Sequence, residues 1–459
     1  MQASMKLPDG PQAPPFIQLF RAIANPLENL EAAAQRYGDI FTSRLSGFAP
    51  FVVISNPQGI QQIMTADPNL FESGRGNRIL MPLVGDQSML LLDGDRHQRQ
   101  RRLLMPPFHG ERMRAYGQLI REISQEVIAQ QPIGKVFSAR SMMQEISLRV
   151  ILRAVFGLDQ GERYQQLRQH LSLILDAVGS RLGASFLFIP ALQRDLGPWS
   201  LWGRFLRQKQ QIDQLLYAEI RDRRAAVNLL GEDILSLMLS ARDETGQPMT
   251  DAELRDELIT LLFAGHETTA SALGWALYWI HQRPEVRERL LQELDSLGHA
   301  PDPGEIARLP YLSAVSQETL RIYPIALFTF SRIVKVPIEI MGYRFEPGTQ
   351  LAPCVYLTHH RQDVYPEPKQ FRPERFLERQ FSPYEYLPFG GGNRRCIGMA
   401  FAQFEIKLVL ATVLSHLQLA LAEESPVRPV RRGITLAPAG GVKMVVIRQR
   451  PQVSIPVQL

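Results

Sequence analysis

The chain has 459 residues, 45% of them apolar and 21% charged, and carries a formal net charge of +5. Those proportions are those of an ordinary soluble globular protein, and with no stretch of about 18 uninterrupted apolar residues they exclude a membrane bundle. Only two cysteines, Cys354 and Cys396, are present, which excludes a disulfide scaffold and suits a reducing, cytoplasmic setting.

From the N-terminus, MQASMKLPDGPQAPPF has one lysine and a string of prolines, the pattern of neither a signal peptide nor a targeting helix. A strand pair is expected near residues 41–55. The densest basic cluster follows in DGDRHQRQRR, with Arg96, His97, Arg99, Arg101 and Arg102. His97 and Arg101, at i and i+4, share a helical face. The run is short and has no interleaved aromatics, so it reads as a seat for an acidic partner or an anionic cofactor and not as a nucleic-acid arm. The apolar patch SFLFIPAL at 185–192 allows at most peripheral contact with a membrane. A helix is expected over 251–283, opened by a Thr250/Glu253 capping box and stopped by Pro284. Further β segments are expected at 337–357 and 434–446, and a helix runs from Ile397 to about His416. No repeat or low-complexity linker divides the chain. The expectation is one unit, mainly α with a small β region.

Two places carry residues that local propensity does not explain. In AGHETT, 264–269, Gly265 costs about 1 kcal/mol relative to alanine in a helix interior. Small Ala264 and Gly265 would let a flat ligand or dioxygen lie against the helix. Thr268 can bond back to the carbonyl of Ala264, and Glu267 beside that hydroxyl forms a proton-delivery pair. A polar turn facing a water channel or a neighbouring helix explains the same residues. A zinc-peptidase reading of His266–Glu267 fails because position 270 is Ala.

The second place is Cys396, in PFGGGNRRCIG just before a helix. There the helix dipole and free backbone N–H groups should lower the thiol pKa, while Gly390, Gly391, Gly392 and Gly398 supply the turn. Nucleophile, redox thiol and metal ligand are all roles for such a sulfur. Axial ligation of haem iron is the one that needs no further local histidine or cysteine. Glu318 and Arg321 share one helical face, and Arg375 in FRPERF could join them, although a solvated face is the ordinary expectation for such a group. His97, Arg101, Arg332 and Arg394 would together supply four donors for two propionates.

FGGGNRRCIG, AGHETT, ETLR and FRPERF, in this order and with HQRQR upstream, make the chain resemble a cytochrome P450, a haem-thiolate monooxygenase. The resemblance spans nearly the whole chain. It implies a triangular, mainly α fold with a long central helix, a single haem domain over 1–459, and haem b with Cys396 as proximal thiolate. Ala264 and Gly265 would lie over the porphyrin, with Phe389 opening the cysteine motif, and Thr268 and Glu267 would serve oxygen activation. His97, Arg101, Arg332 and Arg394 would meet the propionates, and Glu318, Arg321 and Arg375 would lock the core. Many relatives carry Trp where His97 stands, while others use His with Arg four residues later.

By the same resemblance electrons come from a separate partner, since residues 397–459 are too few for a flavin domain. An acidic ferredoxin fed by a ferredoxin–NADP reductase, docking near Arg394 and Arg395 of a monomer, is the expectation. The pocket walls implied are 72–94, 180–194, 325–330 and 437–441, rich in Leu, Met, Phe and Ile. They suit a large apolar substrate. Long-chain fatty acids come first, as in soluble cyanobacterial relatives, with Arg75 or Arg78 as carboxylate anchor and terpenoids or retinoids next. A peroxide-driven peroxygenase would usually lack the Glu267–Thr268 pair. A haem sensor would need neither that pair nor a large apolar chamber.

Overall fold

A computed structural model describes residues 7–108, 112–179, 192–226, 231, 233–298 and 301–450. The expected pocket wall at 180–191 and most of the apolar patch at 185–192 lie outside the described residues.

The central helix is Asp251–Gln282. Thr250 caps it as expected: its hydroxyl accepts from Glu253 N, and the Glu253 carboxylate accepts from Thr250 N at 2.8 Å. Arg283 turns out of helical conformation, and Pro284 opens the next helix, Pro284–Asp295. At ~1.5 Å per residue the central helix is roughly 48 Å long, enough to cross the body of the protein. It is buried on nearly every face because helices pack on several sides of it. Ala139–Phe156 lies along one side, with Ile146, Val150, Leu152, Val155 and Phe156 all buried. Met399–His416 lies along another, its Leu408, Val409, Leu410 and Val413 facing the same main core. Met399–His416 is also the one helix, among the described residues, long and apolar enough to cross a membrane. Here it is a core element.

Among the described residues, twelve strands make up the β region: β1 (Ile40–Ser43), β2 (Phe51–Ile54), β3 (Phe71–Glu72), β4 (Val136–Ser138), β5 (Arg332–Val334), β6 (Ile338–Ile340), β7 (Tyr343–Phe345), β8 (Gln350–Pro353), β9 (Leu417–Leu421), β10 (Pro429–Arg432), β11 (Thr435–Pro438) and β12 (Lys443–Gln449). The largest sheet has the order β1-β2-β8-β5-β3, antiparallel except between β2 and β8. It covers a second, smaller core built on Val52, Ile54, Ile60 and Leu351. The expected pair at 41–55 is β1 and β2. The stretch 337–357 yields β6 to β8, but its end winds into the helix Val355–His359, where Thr358 bonds back to Cys354 O. The last segment divides at Gly440 and Gly441, both in the left-handed region, into β11 and a β12 that runs on to Gln449. Hairpin β10–β11 is tied to the stretch after Pro324 by Leu436 N donating to Ile325 O at 2.8 Å. Helices dominate, and the strands gather into small sheets outside the helical core.

Candidate active site

Cys396 ends a tight turn. Gly390 (φ 67°) and Gly392 (φ 61°) hold left-handed conformations, and a Cβ on Gly392 would come within 2.7 Å of Met64 O. Gly391 and Gly398 have ordinary negative φ, so the expected backbone role falls on two of the four glycines. Cys396 N donates to Phe389 O at 3.0 Å, closing the loop that Phe389 begins, and Gly398 caps Met399–His416. Cys396 is exposed, yet protein atoms crowd its sulfur. Its pKa is therefore raised, not lowered. Desolvation outweighs the Gly398 N–H, Arg101 and Arg395, which favour the thiolate. The helix terminus alone would lower the pKa, and burial reverses the sign. A cation bound to the sulfur would reverse this balance.

The four expected donors do converge. Burial and the charges of Arg394, Arg101 and Arg332 hold His97 down at about 3, with only Asp93 opposing. Arg332 and Arg394 are each lowered to about 10, first by burial. Arg101 reaches the cysteine loop itself, donating to Arg395 O at 2.7 Å. Arg394 donates to Met89 O, Leu92 O and Asp93 Oδ1, while its buried Nε has no partner among the described residues. Arg332 donates to Phe330 O at 2.7 Å. His97, Arg332 and Arg394 thus share the Asp93 carboxylate, with Arg101 also beside His97, and the surplus of donors over acid is a seat for further negative charge. Asp93, which also accepts from Ser73 N and Gly74 N, was missed in the sequence; its place two residues before Asp95, ahead of the basic run, was the available signal.

On the central helix the residues flanking the motif are buried, whereas Phe263, Ala264, Gly265, Glu267 and Thr268 are partly or fully open. Thr268 Oγ1 donates to Ala264 O at 2.5 Å, as expected, but the helix continues unbroken through it. Gly265 also has a packing role that the sequence did not show. A Cβ there would lie 3.0 Å from Ile151 Cδ1, so its smallness admits the neighbouring helix. His266 is buried and bonds Gln144 O through Nε2 at 3.0 Å. Glu267 is not a free acid. Its Oε1 is paired with Arg140 and lies 3.6 Å from Arg432, and Gln144 Nε2 reaches Oε2 at 3.4 Å. Nothing in the sequence marked Arg140 or Arg432, which lie 127 and 165 positions away.

Glu318, Arg321 and Arg375 form a buried cluster, as the family resemblance implied and against the solvated face that spacing alone suggests. Glu318 and Arg321 are 0% exposed and Arg375 is 4%. Arg321 grips the carboxylate with Nε at 2.6 Å and Nη2 at 2.8 Å, Arg375 Nε adds 3.1 Å, and Arg372 N donates at 2.8 Å. Arg321 Nη1 goes on to His359 O and Pro368 O, both at 2.8 Å. The guanidinium N–H groups not taken by Glu318 are thus satisfied by backbone carbonyls around the cluster.

Of the expected pocket walls, Leu90, Leu91 and Phe330 lie partly buried against the main core, as does Phe263 of the central helix. Leu327 and Phe328 pack instead on a third core, built on Leu30, Ala33, Phe41 and Val53, with Phe328 edge-on to Phe51 at 6.1 Å. Arg75 and Arg78 are both exposed, and Arg75 is paired with Glu72 at 3.2 Å.

A presented thiol, an adjoining basic seat and a solvent-accessible stretch on a long, largely buried helix define a haem-thiolate protein class. The profile of the cytochrome P450 family matches residues 8–444, and this chain belongs to that family. A Mycobacterium tuberculosis protein provisionally named cytochrome P450 135B1 is 38% identical over 443 residues, covering 96% of this chain and 92% of its own. A second from that organism, provisionally named cytochrome P450 135A1, is 35% identical over 97% of this chain and 96% of its own. Among solved structures, the retinoic acid-bound cyanobacterial CYP120A1 superposes with a TM-score of 0.84 at 24% identity, over 98% of this chain and all of the other. The haem domain of cytochrome P450DA gives 0.85 at 23%, also over 98% of this chain. The family binds haem b through a cysteine thiolate, so this chain is a cytochrome P450 monooxygenase that requires a redox partner and an apolar substrate.

Proposed function

We propose that Cys396 is the axial thiolate, that His97, Arg101, Arg332 and Arg394 bind the haem propionates, and that the enzyme hydroxylates long-chain fatty acids. The observation that carries the site is Arg101, which donates to the cysteine loop and also stands with Arg332 and Arg394 around the neutral His97. The residues fit the group: a thiol donor, three arginines and the Asp93 carboxylate around a neutral histidine donor, and small Ala264 on the open side of the helix. When bound, haem supplies the cleavage of dioxygen and insertion of one oxygen atom into a C–H bond.

The chain's own residues supply the rest. Thr268, already donating to Ala264 O, turns its lone pairs outward and can hold a water on the open side. Glu267 can carry a proton toward it only by leaving Arg140, and protonation of an Oε atom weakens that pair. Phe263, Leu91 and Phe330 supply apolar wall. Arg78, exposed and without an ion pair among the described residues, is the better carboxylate anchor of the two arginines. A retinoid is the second reading, favoured by the retinoic acid bound to the cyanobacterial neighbour. Both candidates are apolar chains ending in a carboxylate.

We place the enzyme in the cytoplasm, as a single haem domain served by a separate ferredoxin. Arg394 is buried, so the docking surface falls to exposed Arg395 and Arg102 and not to the Arg394 expected from sequence. Turnover should fall as salt rises; a flat salt profile argues against this partner. The deciding experiment for the site is the reduced, carbon monoxide-bound spectrum of the wild type against Cys396→Ala. Survival of the thiolate signature in the variant removes Cys396. For substrate, ferric protein is screened with fatty acids, terpenoids and retinoic acid. A shift toward high spin with fatty acids supports the reading, and a shift with another class alone overturns it.

A further inference from the structure

We propose that His359 is a positioning residue for the thiolate loop, coupling the Glu318–Arg321–Arg375 cluster to Cys396; this rests on the assignment of Cys396 as the ligand. The ring is fully buried and joins two segments. Leu387 N donates to Nε2 at 3.0 Å, and Nδ1 lies 3.2 Å from Arg321 O. An N–H donor at Nε2 makes that nitrogen the acceptor, so the neutral ring carries its proton on Nδ1 and donates it to Arg321 O. Burial and the charge of Arg321 keep His359 neutral, well below its ordinary range. Arg321 returns the contact by donating to His359 O at 2.8 Å.

The path onward is short and made of backbone. Leu387 O accepts from Gly390 N at 3.0 Å, and Phe389 O accepts from Cys396 N at 3.0 Å. His359 therefore fixes the residue from which the loop hangs. Its ring also stacks on Tyr386 at 5.4 Å, and Tyr386 Oη donates to Gln317 O beside the cluster. The Tyr386 side chain and the Leu387 main-chain N–H are thus reached by two separate routes from one helix, Pro310–Ile322.

The test compares holoenzyme variants that differ in where an acceptor stands. His359→Gln keeps an acceptor near the Nε2 position, His359→Asn keeps one only near Nδ1, and His359→Phe keeps none. The expected result is that amide exchange at Leu387, Gly390 and Cys396 quickens about tenfold in the Asn and Phe variants relative to Val52 and Val53 of β2, with the thiolate-ligated fraction of the carbon monoxide complex falling in step. His359→Gln restores most of both. Equal behaviour of Gln and Asn overturns the proposal, as does a uniform rise across all amides. If the Phe variant does not fold, the Gln–Asn comparison still decides. A wild type without thiolate ligation would sink the haem assignment separately, since the exchange comparison reads the bridge alone.

Discussion

Removing the Glu318 carboxylate should be among the most damaging single changes outside the cysteine loop. The group receives four hydrogen bonds, two from Arg321, one from Arg375 and one from Arg372 N. Glu318→Ala would leave two guanidinium groups, 0% and 4% exposed, facing only carbonyl oxygens. Breaking a buried pair by deleting one partner costs about 3–5 kcal/mol. With an unfolding entropy of about 2.1 cal/mol/K per residue, a chain of 459 residues has a slope of roughly 1 kcal/mol per degree. The expected fall in Tm is therefore about 3–5 °C, measured by calorimetry at matched haem content. The control is Glu346→Ala, which breaks the exposed 3.2 Å pair with Arg344 and should cost less than about 1 kcal/mol. If both variants lose the same small amount, the buried cluster does not stabilise the core as its geometry requires.

Thr268→Ala should raise peroxide released per NADPH consumed, because the hydroxyl that holds water on the open side is gone; an unchanged ratio removes Thr268 from that role. Glu267→Gln should slow turnover by about 10²-fold or more while leaving the substrate-induced spin shift in place, and wild-type turnover would show that protons take another route. Glu405 is buried, and burial pushes it up to about 8 from an ordinary 4.5, with Ser147 opposing. A folded-state value above the unfolded one means stability that is full below about pH 4.5 and lost as pH rises through about 8. Glu405→Gln should flatten that decline, in part, because Glu257 is also raised to about 8 and titrates in the same direction. Parallel stability–pH curves for variant and wild type between pH 5 and 8 would refute it.

Several features were legible because their causes lie within a few residues. The capping box at Thr250, the stop at Pro284 and the turn before Cys396 each depend on neighbours one to four positions away, and each stands within about two residues of where the pattern put it. The bond from Thr268 to Ala264 is of the same kind. Spacing likewise paired Glu318 with Arg321. It could not say that the pair is buried, and the ordinary expectation for exposed charges pointed the other way.

What the chain order alone determined, then, was which residue types stand together: the thiol before a helix, the acid beside the alcohol, the basic run and the mainly α pattern. Tertiary structure decided their electrostatic state. Desolvation raises Cys396 where its helix terminus alone would lower it, and Arg140 and Arg432 claim Glu267 from far along the chain. Ile151 accounts for Gly265, and His359 ties the buried cluster to the cysteine loop. The physical reason is that caps and turns are satisfied within a few residues of backbone, whereas burial and Coulomb partners are fixed only when distant segments have packed.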